Sequence, residues 1–332
     1  MNLIKIITKI VEFSVSNYKI YYKKNDNTLN CYSLSNNISS ELVNNVSAFF
    51  FFNDHLYYQI DNGTNIFILN ENKFEGKYYL ESNVKGTNKI FIRGKNIKNE
   101  KVIFEIKDTQ IKETTINILP DIVLIDKYIS LILNGIYLYD YTNQLLWQHS
   151  FSKLLEAEQG DDFIFQNGNI VVHDGKLYFS LFERNRHLNT VTVCIDIETG
   201  KIEKKYKGFA GNLTLFNNKI AIAGDKVVEI LDLKTHSIYK KDYSNYLGSD
   251  KLSISWNSFK VSEDELFYFI ASDHRQGSYI GIIDLKTDEL IWLYALNPDK
   301  ETYDIGALDF KLSDNRMYVH CSDNTLHIFE KE

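Results

Sequence analysis

YIGIIDLKTDELIWLYAL, residues 279–296, contains an apolar run, Asp284, Thr287 three positions on, and a second apolar stretch around Trp292. Such a stretch is either the remnant of an active site or one copy of a structural repeat. Three other stretches decide between them. VTVCIDIETGKIEKKY (191–206) carries Asp196 and Thr199, and VVEILDLKTHSIYKKD (227–242) carries Asp232 and Thr235. IYLYDYTNQLLWQHS (136–150) carries Asp140 and is one residue shorter before Trp147. The shared pattern is apolar strand, Asp, turn with Thr, apolar strand. Its chemistry is local: an Asp at a strand end accepts backbone N–H groups just beyond it, and Thr or Gly helps reverse the chain.

A second element precedes each copy, a turn followed by a short strand rich in Tyr or Ile. GKLYFSL (175–181) precedes Asp196, NKIAIAG (218–224) precedes Asp232, and DELFYFIA (264–271) precedes Asp284. NRMYVHC (315–321) precedes TLHIFEKE (325–332). DKYISLILNGIYLYD (126–140) is a further copy, and weaker ones are YKIYYKKNDNTLNCYSL (18–34), HLYYQIDNGTNIFILN (55–70) and NKIFIRGKNIKNEKVIFEI (88–106). The first core positions of these strands are Ile20, Leu56, Ile90, Ile129, Leu177, Ile220, Leu266 and Met317. Their successive spacings are 36, 34, 39, 48, 43, 46 and 51 residues. A period near 40–45 residues with four short strands per unit predicts an all-β fold, a β-propeller of four-stranded antiparallel blades. No unit buries both faces alone, so blades must stack. The motifs count eight blades, or seven if one early copy is false. Residues Leu3 to Val11 are expected to form a strand that completes the last blade and closes the ring, which removes exposed edges. The whole chain, 1–332, reads as a single domain. No long helix stands out; 150–162 has room for about two helical turns, with only a short apolar face.

Composition agrees. The 332 residues are 44% hydrophobic, with 22 Tyr, 21 Phe and only 2 Pro. Aromatic and β-branched residues suit a pleated, half-buried surface. The net charge of −7 and the lack of a basic run oppose nucleic-acid binding, which draws on clustered Lys and Arg. An acidic surface suits a basic protein partner better. Cys31, Cys194 and Cys321 lie far apart without CxxC spacing, so neither a disulfide framework nor a zinc site is expected. The apolar N-terminal stretch is broken by Lys5, Lys9 and Glu12 and has no small-residue cleavage site, and no 18-residue apolar run occurs. The expectation is a cytoplasmic protein without membrane contact.

The D-x-x-T-x-x-h-x-W pattern (h, apolar) with its preceding G-K-h-Y strand resembles the quinoprotein-alcohol-dehydrogenase-like and WD40-like propeller repeats. The resemblance covers most of the chain and is clearest over 126–330. It implies the fold and leaves function open, because propellers host unrelated activities. Quinone-dependent dehydrogenases of this type would imply calcium and a quinone held by carboxylates, an Asn and often adjacent cysteines. This sequence has no Cys-Cys pair and none of their export features, so no cofactor is expected. The eight-bladed outer-membrane assembly lipoproteins would imply a lipid-attachment signal, which TLNCYS around Cys31 does not provide. On this reading Trp147 and Trp292 pack between blades.

No catalytic motif stands out. The eight His form neither HxH nor HExxH. His320 and His327 flank the last hairpin turn beside Cys321, where they read as ordinary strand positions rather than metal ligands. Asp161–Asp162 and SEDE (262–265) read as solvated loop charge rather than a glycosidase pair. GxSxG, P-loop and GxGxxG are absent.

One feature breaks the repeat. Three turns between the first and second elements read as long: RGKNIKNE (93–100), FERNRHLNT (182–190) and SDHRQGS (272–278). Four of the chain's five Arg, namely Arg93, Arg184, Arg186 and Arg275, fall in them, with His187 and His274. Arg presents a planar fork suited to carboxylate or phosphate and is enriched at binding hot spots. The loops between blades, LEAEQGDD (155–162), DYSNYLGSD (242–250) and NPDKETYD (297–304), are acidic and carry Tyr243, Tyr246 and Tyr303. Tyr beside acids fits a basic partner. The functional expectation is a monomeric, non-enzymatic propeller that binds another protein, in one form an immunity protein that blocks a toxin. The alternative is a propeller enzyme or small-ligand binder with a pocket at the central channel.

Overall fold

The computed structural model describes residues 1–16, 18–60, 65–69, 73–85, 89–107, 109–132, 135–156, 163–165, 170–183, 186–247, 252–273, 277–296, 306–313 and 315–331. The strands pair into eight antiparallel sheets, seven laid down in chain order and the eighth joining the N-terminal strand to the last three. We call them blades 1 to 8. Blade 1 comprises Ile10–Ser16, Lys19–Lys24, Leu29–Ser33 and Ile38–Val43; blade 7 comprises Ser253–Val261, Leu266–Asp273, Gly277–Asp284 and Glu289–Ala295. Blades 2, 3, 4 and 6 repeat the plan over 46–74, 77–113, 122–150 and 214–242. Blade 5 has its first strand in two pieces: Phe163–Phe165 and Val171–His173 pair with successive parts of Lys176–Glu183.

Every one of the eight marker residues, Ile20 through Met317, is buried in the second strand of its own blade. That settles the count at eight. The opening stretch supplies the third and fourth strands of blade 7. The expected N-terminal strand is shorter than its apolar run. Asn2–Ile7 pairs antiparallel with Leu326–Glu330 and completes blade 8. Lys9 then turns the chain with φ 65°, and Ile10 opens blade 1. Within 150–162 the helix is Phe151–Leu155, a single turn; residues 157–162 lie outside the described set.

Packing divides the chain into two compact units of four blades, Lys9–Ser150 with blades 1–4, and Met1–Thr8 plus Phe151–Glu332 with blades 5–8. In the second unit, Tyr268, Ile270, Ile282, Phe310, Met317 and Phe329 form one cluster that joins blades 7 and 8. In the first, Phe50, Tyr57, Ile90, Ile92 and Phe104 join blades 2 and 3. Fully burying one such side chain contributes about 1.5–3 kcal/mol. Second and third strands carry most of the buried residues, as in KLYFSLFE of blade 5, where six of eight are buried. Fourth strands are half-exposed: Glu289, Ile291 and Leu293 face solvent, alternating with Leu290, Trp292 and Tyr294.

The Asp–Thr turns take the expected form. Asp196 Oδ1 accepts the Thr199 backbone N–H at 2.8 Å and its hydroxyl at 2.6 Å. Asp232 accepts from Lys234 and Thr235, and Asp140 from Thr142 and Gln144, at 2.8–2.9 Å. Asp26 and Asp323 repeat the motif with Thr28 and Thr325. Hydrogen bonds from the following Thr hold the Asp26, Asp140, Asp196 and Asp232 carboxyls below the usual carboxylate range.

Candidate partner-binding surfaces

The structure redraws the arginine-bearing turns. In blade 5 the strands run Lys176–Glu183 and Arg186–Asp196, and Glu183 pairs directly with Arg186. In blade 7 the strands run Leu266–Asp273 and Gly277–Asp284, with Asp273 opposite Gly277. Most of the two segments read as long turns is therefore strand. The central hairpins of blades 5 and 7 are lengthened, to eight residues in the second strand against six in blade 6. The repeat pattern missed this because extra hairpin residues with polar side chains look like a loop in one dimension. Arg184, His274 and Arg275 lie outside the described residues. For Arg186 and His187 only the backbone, at the start of a strand, is described.

Arg93 is likewise strand rather than turn. It sits in Ile90–Lys95 of blade 3, opposite Tyr79 and Ile103. The turn is confined to 96–100, closed by Asn96 and Glu100 with Asn99 at φ 70°. Arg93 is exposed and exerts its field on Asp121. Burial pushes the Asp121 carboxyl up, while the Leu131 N–H it accepts at 2.6 Å and the Arg93 charge pull it down.

The tyrosines separate into two roles. Tyr243 is a core residue at 2% exposure, packed with Val228, Leu247 and Phe267. Its burial corrects the expectation that it contacts a partner. Its hydroxyl donates to Asp288 Oδ1 at 3.1 Å, and Lys241 donates to the same carboxylate at 2.6 Å and to the Leu285 carbonyl at 2.5 Å. Burial first, then Asp288, pushes the Tyr243 phenol far above its ordinary value. Tyr246 is 46% exposed. It lies in the short helix Ser244–Leu247, which Asp242 caps by accepting the Ser244 N–H at 2.8 Å and hydroxyl at 2.5 Å. The Tyr243 carbonyl accepts from Tyr246 and Leu247, and Leu247 is buried. The two tyrosine rings lie 6.4 Å apart at 34°. An exposed aromatic is therefore carried on a turn fixed from below. Tyr303 lies outside the described residues.

No protein-family model matches the chain, and no curated protein matches it. Solved structures do. The C-terminal WD40 domain of Sif2 superposes with a TM-score of 0.63 at 12% identity, over 100% of this chain and 98% of that one. Saccharomyces cerevisiae Sqt1 gives 0.60 at 10% identity, over 100% and 99%. BamB from Moraxella catarrhalis gives 0.57 at 10% identity, over 99% of each chain. The fold is a β-propeller. At such identities the likeness extends to the fold, and the function must be argued from the propeller's own surface.

Proposed function

We propose that this propeller is a non-enzymatic protein-binding module that meets its partner through the Tyr246 turn. The observation that carries the reading is an exposed tyrosine on a turn locked by Asp242, Tyr243 and Leu247. A pre-fixed aromatic loses little entropy on binding and offers both apolar area and a hydroxyl. The net charge of −7 favours a partner with a basic surface. An immunity protein that covers a toxin's active site is one finer form of this reading, acting as a monomer in the cytoplasm. The WD40-type architecture supports a scaffold role by analogy.

The test is affinity capture from host lysate with the full chain, Tyr246→Ala, and Tyr18→Ala as a control on an exposed tyrosine of blade 1. One stoichiometric protein should bind, be retained by the control, and lose about 30-fold in affinity with Tyr246→Ala. Equal binding by Tyr246→Ala sinks the turn as the contact. An Arg184, Arg186 and Arg275 to Glu variant then asks whether the lengthened hairpins carry the contact instead.

A further inference from the structure

Blade 3 carries a charged recess that the protein-binding reading does not use. Strand pairing places its residues on one face. Phe91, Glu105 and Lys112 are directly opposite one another across three strands. Two residues along on the same face, Lys107 faces Gln110, and Lys89 precedes Ile90, whose partner is Ile106. Side chains of directly paired residues, and of those two positions on, share a face. The face is therefore a grid, Phe91–Glu105–Lys112 beside Lys89–Lys107–Gln110. The reverse face, with Ile90, Ile106 and Ile111, is core.

At the inner side of this grid Phe91 is buried against Tyr128 of blade 4. The Lys89 ammonium lies 3.8 Å from the ring centroid of Tyr141, also of blade 4, and 5.4 Å from that of Phe91. The outer side stays open as a recess of about 240 Å³ lined by Glu105, Lys107, Gln110 and Lys112. Among the described residues no carboxylate forms an ion pair with Lys107 or Lys112. Among the described residues, Lys107 and Lys112 line the recess with Glu105, and Lys89 lies within reach of the Glu105 and Lys107 charges. Burial lowers the Lys89 pKa; Glu105 opposes, and Lys107 adds a smaller push downward. Asp108 lies outside the described residues.

We propose that the recess binds a small hydroxylated phosphate monoester. Lys107 and Lys112, both exposed at the rim, contact the phosphate as point charges, and Lys89 adds its field from a position fixed by the two rings. Glu105 accepts a hydrogen bond from a ligand hydroxyl, and Gln110 supplies a donor and an acceptor beside it. A bare anion would meet Glu105 as a like charge, so the hydroxyl is what makes the carboxylate an asset. The volume sits just below the ~300–1,000 Å³ of drug-sized pockets, which suits a ligand of few atoms.

Glycerol 3-phosphate is the probe, titrated calorimetrically into the full chain at low salt, with inorganic phosphate and glycerol as separate arms. Glycerol 3-phosphate should bind best, phosphate more weakly and glycerol not at all. Lys107→Gln with Lys112→Gln should weaken glycerol 3-phosphate about tenfold or more. Lys234→Gln with Lys286→Gln, two exposed turn lysines of blades 6 and 7, makes the same change in net charge and should leave it unaltered. Glu105→Gln should erase the preference of glycerol 3-phosphate over phosphate. No binding by about 10 mM overturns the proposal. So does an equal loss in the two lysine variants, which would mark a general charge effect, or a preference that survives Glu105→Gln.

Discussion

Trp292 of blade 7 meets Phe329 of blade 8 edge to face, with ring centroids 5.4 Å apart and planes at 72°. Tyr294 presents a second edge contact to the same ring at 5.0 Å and 71°, and Trp292 stacks on Tyr294 at 5.8 Å. Both come from the half-exposed strand Glu289–Ala295, so their spacing of two puts them on one face. Among the described residues no strand pairing joins these two blades, and these side chains meet across them. Phe329 is fully buried, and Phe329→Ala should destabilise by about 3–5 kcal/mol. Trp292→Ala, at a partly exposed position, should cost about 1–3 kcal/mol. Denaturant titration measures both, and a loss under about 1 kcal/mol for Phe329→Ala would remove the ring from the blade contact.

Gly281 in blade 7 is paired directly with Phe269, whose ring lies over it. A Cβ at 281 would overlap that ring, and Phe269 is fully buried. Alanine in place of glycine ordinarily favours a strand by about 0.5–1 kcal/mol. Here overpacking should win, and Gly281→Ala should cost about 1–3 kcal/mol. The companion Phe269→Leu should recover part of the loss in Gly281→Ala. If Gly281→Ala is neutral alone, the ring has room to move and the close fit is not a constraint.

The blade repeat was legible because its period and its Asp–Thr turns are local. Asp196 and Thr199 sit three residues apart and bond to each other, so one dimension suffices to find them. Three first strands left little trace: Thr214–Phe216 has three residues, Ile122–Val123 two, and that of blade 5 is broken. The candidate site was less legible. Tyr243 and Tyr246 look equivalent in DYSNYLGSD, and only the partners from blade 7, Asp288 and Leu285, reveal which is buried. Arg93 read as turn because Gly94 follows it. In the structure that glycine is a strand residue whose Cβ would strike the Lys77 carbonyl and the Phe104 ring. The cationic recess depends on cross-strand register among 89, 105, 107, 110 and 112, which no motif encodes.

The Asp–Thr turns make stability depend on acid. Asp26, Asp140, Asp196, Asp232 and Asp242 all have carboxyls held low in the folded state, chiefly by hydrogen bonds from Thr or Ser and from backbone N–H groups two to four positions on. A folded pKa below the unfolded one gives stability that is present above about pH 4 and lost as pH falls through the lower folded value. Asp196→Ala should therefore lower the melting midpoint at pH 7. The gap to the parent chain should shrink steadily below about pH 4. A gap that stays constant down to pH 2 would mean that the turn stabilises through shape alone, without the charge.

All three cysteines are free and buried, Cys31 in blade 1, Cys194 in blade 5 and Cys321 in blade 8. Burial raises each thiol, that of Cys321 to about 12. The thiolate is the reactive form, so none should react with a thiol reagent at pH 8 in the native chain, and all should react on unfolding. The three positions also test domain organisation. Cys31 belongs to the unit Lys9–Ser150, and Cys194 and Cys321 to the other. The chain crosses between units twice, at Thr8–Lys9 and Ser150–Phe151, because Asn2–Ile7 completes blade 8 before blade 1 begins. The expected result is one denaturant midpoint at which all three cysteines become reactive together, as a single cooperative domain requires. A separate midpoint for Cys31 would establish two independently stable halves.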